Sequence, residues 1–355
     1  MKRKWIFTVL LVILLIFLTW IGKFNFGVAA GGDAKFVHGR LTREFKLRTP
    51  TFTGFNEFII ADLNGYFKEV NIKPVYTGVL SQGADLALSV VKGDNDLFSS
   101  GHPTNIAVAR KAGFPIKIVL HSMVDNPENN KLHMTWLIRD DGKIKSPKDL
   151  IGKKIAVGTL GGCVELLTAE FLRQNHLPKN KIEIVVMKDQ LQEEALRQGL
   201  IDVAVVHPPY NVKAENAGGV KILTTSWDIG SKAGDGSIGG LAVRAFSDDF
   251  LRKYPDVVKA YIVADLKAQH WINKHYNEAL EIESKYLNIP LKDMAGNVYP
   301  DQWWIKPSQI EWWIQTAYKN KLAGFEKPGE IKAADIFTNR FNPYYTKELP
   351  IPKIP

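Results

Sequence analysis

The stretch that decides the fold runs from Ser81 to Lys117 and reads SQGADLALSVVKGDNDLFSSGHPTNIAVARKAGFPIK. Apolar residues at helical spacing predict a helix from Gly83 to Val91, and Leu97-Phe98 predicts a short strand. A loop of small residues from Ser100 to Thr104 ends that strand, and a second helix is predicted from Asn105 to Lys111. A strand that ends in such a loop before a helix leaves backbone N–H groups that can hold an anion or a polar ligand.

The same order of strand, glycine-rich loop and helix recurs in the second half of the chain. Ile155–Val157 predicts a buried strand, the loop GTLGGC follows at residues 158–163, and Val164–Gln174 predicts a helix. Ile201–Val206 predicts another buried strand, which ends at His207 and two prolines. Strands that alternate with helices, followed by a helical final part, indicate an α/β protein with mainly parallel sheets.

Two stretches resemble the periplasmic binding proteins of ABC importers, of the nitrate/sulfonate/taurine and thiamine-pyrimidine type. In the first stretch the shared pattern is S-x-G, A-L, a Gly-x-x-Asp turn, a Gly-x-Pro loop and A-x-x-x-G-x-P-I. In the second it is S-P-x-D-L-x-G-K-K-I-A-V, which begins at Ser146. The resemblance covers most of residues 45–290, and the tryptophan-rich residues 295–355 depart from it.

This resemblance implies a two-lobed fold, that of the type II periplasmic binding proteins. Each lobe would be a mainly parallel sheet flanked by helices, and two crossover strands would form the hinge. Lobe 1 would comprise residues 44–134 and 241–355, and lobe 2 residues 135–240. A ligand would bind between the lobes, where the loops at the strand ends offer N–H and hydroxyl groups.

The first thirty residues predict export. Lys2-Arg3-Lys4 precedes an apolar run from Trp5 to Ile21, and Val28-Ala29-Ala30 resembles a cleavage site. We expect residues 1–30 to be a signal peptide; the alternative is an uncleaved N-terminal membrane anchor, because the run is close to the shortest membrane span. In both cases the rest of the chain would be periplasmic, and it would contact the membrane only through this segment if uncleaved.

Charge and cysteine content exclude several classes of protein. The formal net charge is +9, and it falls to +5 without the first thirty residues. The lysines are scattered and form no basic stripe with interleaved aromatics, so we expect no nucleic-acid partner. Cys163 is the only cysteine, so no intramolecular disulfide forms, and it is too far from the N-terminus for lipid attachment.

The chain lacks the sequence motifs of the common enzyme classes. It contains no G-x-S-x-G, no H-E-x-x-H, no P-loop and no kinase signature, and residues 158–162 do not match the dinucleotide fingerprint. Cys163 at a helix start could be a nucleophile with His207 as its base. No third group is identifiable from the sequence, so a small helix-opening residue is the favoured interpretation. We therefore expect neither an enzyme nor a cofactor.

A metal site is the next hypothesis. Its ligands would be residues that could meet if the strand-end loops face one cleft, namely His102, His121, His133, His207 and Cys163. No pair of them has the close spacing of a zinc motif, and single histidines are more often structural groups. The sequence therefore predicts no metal site.

The resemblance implies a set of ligand-binding residues in the strand-end loops. Carried over by position, they are Gly54, Phe55, Ser81, Gln82, Ser100, Gly101, His102, Thr135, Trp136, Thr159, Gly161, Gly162, Cys163 and His207. Two of them, Phe55 and Trp136, could wall an organic group. The loops contain no arginine, which argues against a doubly charged ligand.

These features predict a solute-binding receptor of an ABC-type importer, acting as a monomer. It would capture a small anionic or heteroaromatic nutrient of the sulfonate, taurine, nitrate or pyrimidine class and deliver it to a transmembrane permease. Two alternatives stay open. One is a thiamine-pyrimidine-synthase-like enzyme on the same fold, which would need a cofactor lysine or a Cys/His metal cluster in the cleft. The other is a membrane-anchored sensory binding module.

Overall fold

The computed structural model describes residues 34–80, 84–128 and 131–352. The predicted signal peptide or anchor, and the predicted ligand-binding residues Ser81 and Gln82, lie outside the described residues. Within the described ranges, no helix combines the length and the apolar character needed to cross a bilayer.

Twelve strands make up the sheets of the described residues. They are β1 (Phe36–Val37), β2 (Arg40–Leu41), β3 (Phe45–Thr49), β4 (Ile72–Tyr76), β5 (Leu97–Phe98), β6 (Ile116–His121), β7 (Thr135–Arg139), β8 (Lys154–Val157), β9 (Glu183–Val186), β10 (Val203–Val206), β11 (Val220–Thr225) and β12 (Val243–Ser247).

Thirteen α-helices cover the sheets in the described residues. They are α1 (Glu57–Leu63), α2 (Tyr66–Glu69), α3 (Ala84–Lys92), α4 (Pro103–Lys111), α5 (Cys163–Gln174), α6 (Asp189–Arg197), α7 (Tyr210–Asn216), α8 (Ser226–Ser231), α9 (Asp248–Lys253), α10 (Pro255–Lys274), α11 (Tyr276–Leu287), α12 (Pro307–Lys319) and α13 (Ala333–Ile336). Short 3₁₀ turns lie at Pro147–Leu150, Lys179–Lys181, Gly236–Gly240 and Leu291–Asp293.

The strands form two groups that are separated in the sequence. A five-stranded sheet has the order β11-β7-β10-β8-β9 and uses only strands between Thr135 and Thr225. A three-stranded sheet has the order β5-β12-β6, so its central strand comes from after the five-stranded sheet and its neighbours come from before it. A parallel pair, β3 and β4, continues this second group. The chain therefore passes from one group to the other and back.

The α/β class is confirmed, but the sheets are less parallel than the sequence predicts. Of the eight strand pairs in the described residues, three are parallel, namely β3-β4, β8-β9 and β8-β10. Apart from the short hairpin of β1 and β2, the antiparallel pairs arise where the chain changes group. The strands that follow the two passages, β7 and β12, each run antiparallel to both of their neighbours.

The two connecting segments lie side by side. The described part of the first covers residues 122–128 and 131–134, and the second covers residues 226–242. They exchange backbone hydrogen bonds, such as Ser122 N–H to Ala242 O at 2.8 Å and Asp125 N–H to Ser237 O at 3.0 Å. A Cβ atom on Gly240 would lie 2.6 Å from the backbone nitrogen of Asp125 in the first segment. Only glycine permits this close approach of the two segments.

Two local predictions in the second connecting segment are wrong. Residues 226–236, predicted as a flexible loop, begin with helix α8, because the side chain of Thr225 accepts from Asp228 N–H at 3.1 Å and Asp228 accepts from Thr225 N–H at 2.9 Å. Residues 238–244, predicted as one strand, are a 3₁₀ turn that leads into β12. Helix α12 also begins one residue before its predicted Ser308 cap, with Gln309 accepting from Lys306 N–H at 3.2 Å.

A buried ion pair fixes the loop after β3 to the rest of the second sheet group. Arg244 lies 2.5 Å from Glu57, and both side chains are about 1% exposed. Glu57 also accepts from the hydroxyl of Ser122 at 2.5 Å, and Asn56 caps helix α1. This network holds the loop that carries Gly54 and Phe55 against β12 and the first connecting segment.

Candidate functional site

Loops from the two sheet groups meet at one place. His102 precedes helix α4 in the β5-β12-β6 group, whereas Cys163 begins helix α5 and His207 follows β10 in the five-stranded group. His133, at the end of the first connecting segment, lies between them. The ring centroids of His102 and His133 are 4.8 Å apart, as are those of His133 and His207. We call these four residues the Cys/His cluster.

His102 is held in place from three directions. Its backbone N–H donates at 2.9 Å to the side chain of Asn105 in the first turn of helix α4. Its ring nitrogen Nδ1 bonds to the carbonyl oxygen of Leu241 at 2.7 Å. Its ring stacks on that of Trp313, with 4.7 Å between centroids and 15° between planes. Gly101 is required before it, since a Cβ there would lie 2.5 Å from the ring of Phe98 and the backbone φ is +152°.

Cys163, His207 and Asp189 form a hydrogen-bonded chain. Sγ of Cys163 lies 3.7 Å from Nε2 of His207, and Nδ1 of His207 lies 2.6 Å from Oδ2 of Asp189. The same carboxylate oxygen accepts from the backbone N–H of His207 at 3.0 Å. Asp189 at the start of helix α6 therefore orients the imidazole and directs Nε2 towards the sulfur. This is the third group that sequence reasoning did not identify.

His133, like His102, is enclosed by the protein. Its side chain is buried, and its backbone N–H donates to Oδ1 of Asp125 at 2.6 Å. Nε2 is buried and makes no hydrogen bond of conventional geometry with any described residue. A buried nitrogen without a partner costs free energy, so the arrangement favours a ligand at this atom.

Charges within the cluster change the protonation of its members. Burial alone would lower the pKa of His207, but Asp189 and Cys163 outweigh it and raise this pKa to about 10. Burial lowers the pKa of His133 to about 4. Burial opposes a thiolate at Cys163, but the adjacent imidazoles of His102, His133 and His207 outweigh it, and the pKa of the thiol falls well below its ordinary value. At neutral pH the cluster therefore contains a thiolate and an imidazolium.

Several of the predicted loop residues surround the cluster without a side-chain hydrogen bond to it. Ser100 and Gly162 are partly exposed, and Thr159 and Gly161 are exposed. The N–H of Gly161 already donates to Glu165 at 2.7 Å, so that amide is paired. The first N–H groups of helix α5 have no acceptor within the helix and point out of its beginning.

Other predicted residues lie in the protein core. Trp136 in β7 is completely buried and packs 6.4 Å from Phe171. Thr135 is also buried, and its hydroxyl has no partner among the described residues. Phe55, by contrast, is partly exposed and packs against the core beside Gly296. Burial of Trp136 follows from its place on the central part of the sheet, which the sequence pattern does not separate from a cleft wall.

His121 is the one histidine of the sequence-based metal hypothesis that does not join the cluster. It lies in β6, is completely buried, and pairs across the sheet with Val243. Three residues that the sequence reasoning did not assign to this site contact the cluster, namely Asp125, Asp189 and Trp313. Trp313 packs in the core and also stacks on His102.

The chain is similar in sequence to a known protein family and to a curated protein. A family model described as NMT1/THI5 like matches residues 52–279. The taurine-binding periplasmic protein of Escherichia coli strain K12 is 31% identical over 225 residues, which cover 61% of this chain and 65% of that protein. The chain thus matches less than two thirds of the length of this curated relative.

Solved structures share the fold. The periplasmic aliphatic sulphonate binding protein SsuA from Escherichia coli superposes with a TM-score of 0.63 at 18% identity, covering 82% of this chain and 91% of that one. The desulfurization enzyme DSZB superposes with a TM-score of 0.60 at 13% identity, covering 86% and 99%. The predicted fold class is therefore confirmed, and the same fold serves a binding protein and an enzyme.

Proposed function

Because the chain belongs to the NMT1/THI5-like family, we propose that it is a solute-binding receptor of an ABC-type importer. It captures a small anionic or heteroaromatic nutrient at the Cys/His cluster and delivers it to a membrane permease. The observation that carries this proposal is the meeting of two helix beginnings, at His102 and Cys163, that belong to different sheet groups. Such a junction can enclose a small molecule between two parts of a protein.

The connecting segments are the hinge in this proposal. Residues 135–240 form one lobe, and residues 44–134 with 241–355 form the other. Backbone pairing between residues 122–134 and 226–242 gives both passages one common axis. Ligand binding then stabilises the closed arrangement of the lobes, which the permease recognises. The protein acts in the periplasm as a monomer.

Organosulfonates are the first ligands to test. The curated relative at 31% identity carries taurine binding in its name, and taurine is a sulfonate. The beginning of helix α5 favours an anion, because its first N–H groups and its dipole present positive charge. The imidazolium of His207 adds a positive charge beside it, although the partner Asp189 offsets part of this charge.

A thermal-shift screen tests the proposal. The ligand-free protein is heated with taurine, longer alkanesulfonates, nitrate, pyrimidines and dicarboxylates. A ligand at a hundred times its dissociation constant adds about 2.7 kcal/mol of stability, and we expect this for at least one sulfonate. Replacement of Gly162 by Pro, which distorts the start of helix α5, should abolish the shift. The proposal fails if no compound of these classes shifts the unfolding temperature.

An enzyme is the second candidate, and the Cys163–His207–Asp189 chain favours it. A thiolate, an imidazole and an orienting carboxylate have the arrangement of a cysteine nucleophile with its base. The two candidates differ in the fate of the ligand, because a receptor returns it unchanged.

N-terminal sequencing of the exported protein separates a free receptor from the third possibility, a membrane-anchored sensory module.

A further inference from the structure

The four members of the Cys/His cluster come from segments that are far apart in the chain. One ligand atom from each of His102, His133 and Cys163 lies within 4.8 Å of the other two. Nε2 of His207 lies 3.7 Å from Sγ of Cys163. We propose that these residues bind a transition metal ion of the zinc class, with His102, His133 and Cys163 as ligands and His207 as the fourth.

Two of the histidines are already oriented as metal ligands. Nδ1 of His102 donates to the carbonyl oxygen of Leu241 at 2.7 Å, which leaves Nε2 with a free electron pair. Nδ1 of His207 bonds to Asp189 at 2.6 Å, which leaves its Nε2 facing Cys163. A second hydrogen bond from the non-ligating ring nitrogen, to a carbonyl or a carboxylate, is the usual support of a metal-binding histidine.

His133 supplies the independent observation that points to a ligand. Its side chain is 7% exposed, and its buried Nε2 makes no conventional hydrogen bond within the described part of the chain. The rings of His102 and His207 flank it at 4.8 Å each. A metal ion in the space shared by these groups would pair the nitrogen, whereas three adjacent imidazoles without one leave it unsatisfied.

The donor set selects the kind of ion. Nitrogen and thiolate sulfur suit zinc and similar ions, whereas calcium and magnesium need oxygen ligands. Bond lengths of about 2.0–2.3 Å place neighbouring atoms of a tetrahedral zinc site about 3.5 Å apart. The pair of Cys163 and His207 is already close to this spacing at 3.7 Å. The other ligands must approach by about 1 Å, which side-chain rotation provides.

Such an ion would connect the two sheet groups. His102 belongs to the group of β5, β6 and β12, and Cys163 and His207 belong to the five-stranded group. A bound ion would therefore stabilise the closed arrangement. The inference does not depend on the proposed function, because a receptor and an enzyme could both hold the ion.

Zinc and cobalt binding to the purified full chain, without an affinity tag and after chelator treatment, tests the inference. We expect one Zn²⁺ per chain with a dissociation constant below about 1 µM, measured by calorimetry and elemental analysis. Cobalt(II) should give a thiolate-to-metal charge-transfer band. Cys163→Ser should remove that band and weaken zinc binding roughly 100-fold or more, and His133→Asn should weaken it comparably.

His176→Asn is the matched control. This exposed histidine lies just after the opposite end of helix α5, about 20 Å from Cys163 by helix rise, and asparagine tolerates its positive φ. It should bind zinc like the unaltered protein. Circular dichroism in chelator identifies any variant that fails to fold, and the cobalt spectrum of the unaltered chain still decides the ligands. Absence of zinc binding, or a cobalt complex without the thiolate band, would overturn the inference.

Discussion

At the scale of single residues, the site is defined by how Cys163 and His207 affect each other. Sγ and Nε2 are 3.7 Å apart, and Asp189 holds the other side of the imidazole at 2.6 Å. Each charged form stabilises the other, because the thiolate favours the imidazolium and the imidazolium favours the thiolate. A partly exposed thiol in this position should be reactive.

Alkylation of Cys163 by iodoacetamide measures this coupling in the chelator-treated protein. The reaction rate should follow an apparent pKa below the ordinary 8.5 of a free cysteine. His207→Gln removes the adjacent positive charge and should raise that apparent pKa. Cys163 is the only cysteine, so labelling reports on this site alone. A rate that follows an ordinary thiol pKa in the unaltered protein would contradict the coupling.

At the scale of elements, the two connecting segments depend on their glycines. Gly239 lies against Ser226 within the second segment, where a Cβ would meet the carbonyl oxygen at 2.2 Å. Gly240 lies against Asp125 of the first segment, where a Cβ would meet the backbone nitrogen at 2.6 Å. The segments can pair only at this separation. The segments that link the two sheet groups therefore pair at glycines, where the backbone tolerates no added Cβ atom.

Gly240→Ala should destabilise the protein by roughly 1–3 kcal/mol, because the added methyl group would meet the backbone of Asp125 and force the segments apart. Urea unfolding measures the change. Gly54→Ala is the matched control, since a Cβ there has no neighbour within 4 Å, and it should change stability by less than about half a kcal/mol. Equal stability of the two variants would show that the segments are not packed as described.

His121 in strand β6 makes the stability of the protein depend on pH. This side chain is completely buried, and burial, with a smaller contribution from His270, lowers its pKa to about 3. The unfolded chain has an ordinary pKa near 6.5, so it binds a proton that the folded chain does not. The contribution of this residue to stability is therefore present above pH 6.5 and is lost as the pH falls towards 3.

Acid titration of stability tests this sign. When the pH is lowered from 7 to 4, the unfolding free energy should fall by about 3 kcal/mol because His121 is protonated only in the unfolded chain. Urea unfolding at each pH measures this change. His121→Gln should remove this part of the acid sensitivity. His38→Asn, at an exposed position, should retain it. Parallel pH profiles for the His121 variant and the unaltered protein would refute the assignment.

The elements that sequence reasoning placed correctly are those with local signals. Helix α4 follows from Pro103 at its first position, and β10 from its run of β-branched residues. Helix α8 was missed because its signal, the reciprocal pairing of Thr225 and Asp228, lies among glycines and polar residues typical of loops. The antiparallel direction of β7 and β12 depends on the path of the chain between sheets, which no local pattern reports.

The cluster itself could be predicted only in part. Strand-end logic found His102, Cys163 and His207, because each follows a strand. The role of Asp189 depends on the packing of helix α6 beside β10, which a single sequence does not reveal. His133 was weighed only as a metal ligand, and it joins the others because a connecting segment passes between the two groups.

At the scale of the whole molecule, helix α12 joins the two sheet groups. Trp313 in α12 stacks on His102 and donates to the carbonyl oxygen of Ile238 at 2.9 Å. At the end of the same helix, Asn320 donates to Glu170 of helix α5 at 2.8 Å. Residues outside the stretch that carries the family resemblance therefore connect the two sheet groups.

Asn320→Ala should weaken ligand binding roughly tenfold, because it removes the hydrogen bond to Glu170 that would stabilise the proposed closed arrangement of the lobes. The affinity is measured by calorimetry with the solute that the thermal-shift screen identifies. Gln315→Ala removes a bond to Glu311 within the same helix and serves as the control with unchanged affinity. Equal affinities for both variants would show that the contact does not depend on closure.

Ligand-observed proton NMR of organosulfonates mixed with the protein tests the central claim most directly, since it reports binding and turnover together. The account predicts saturation transfer to at least one sulfonate, competition by unlabelled ligand, and a signal intensity that stays constant over a day. Loss of the ligand signal with the growth of a product, or no transfer to any sulfonate, would contradict a receptor that captures and returns this class of solute.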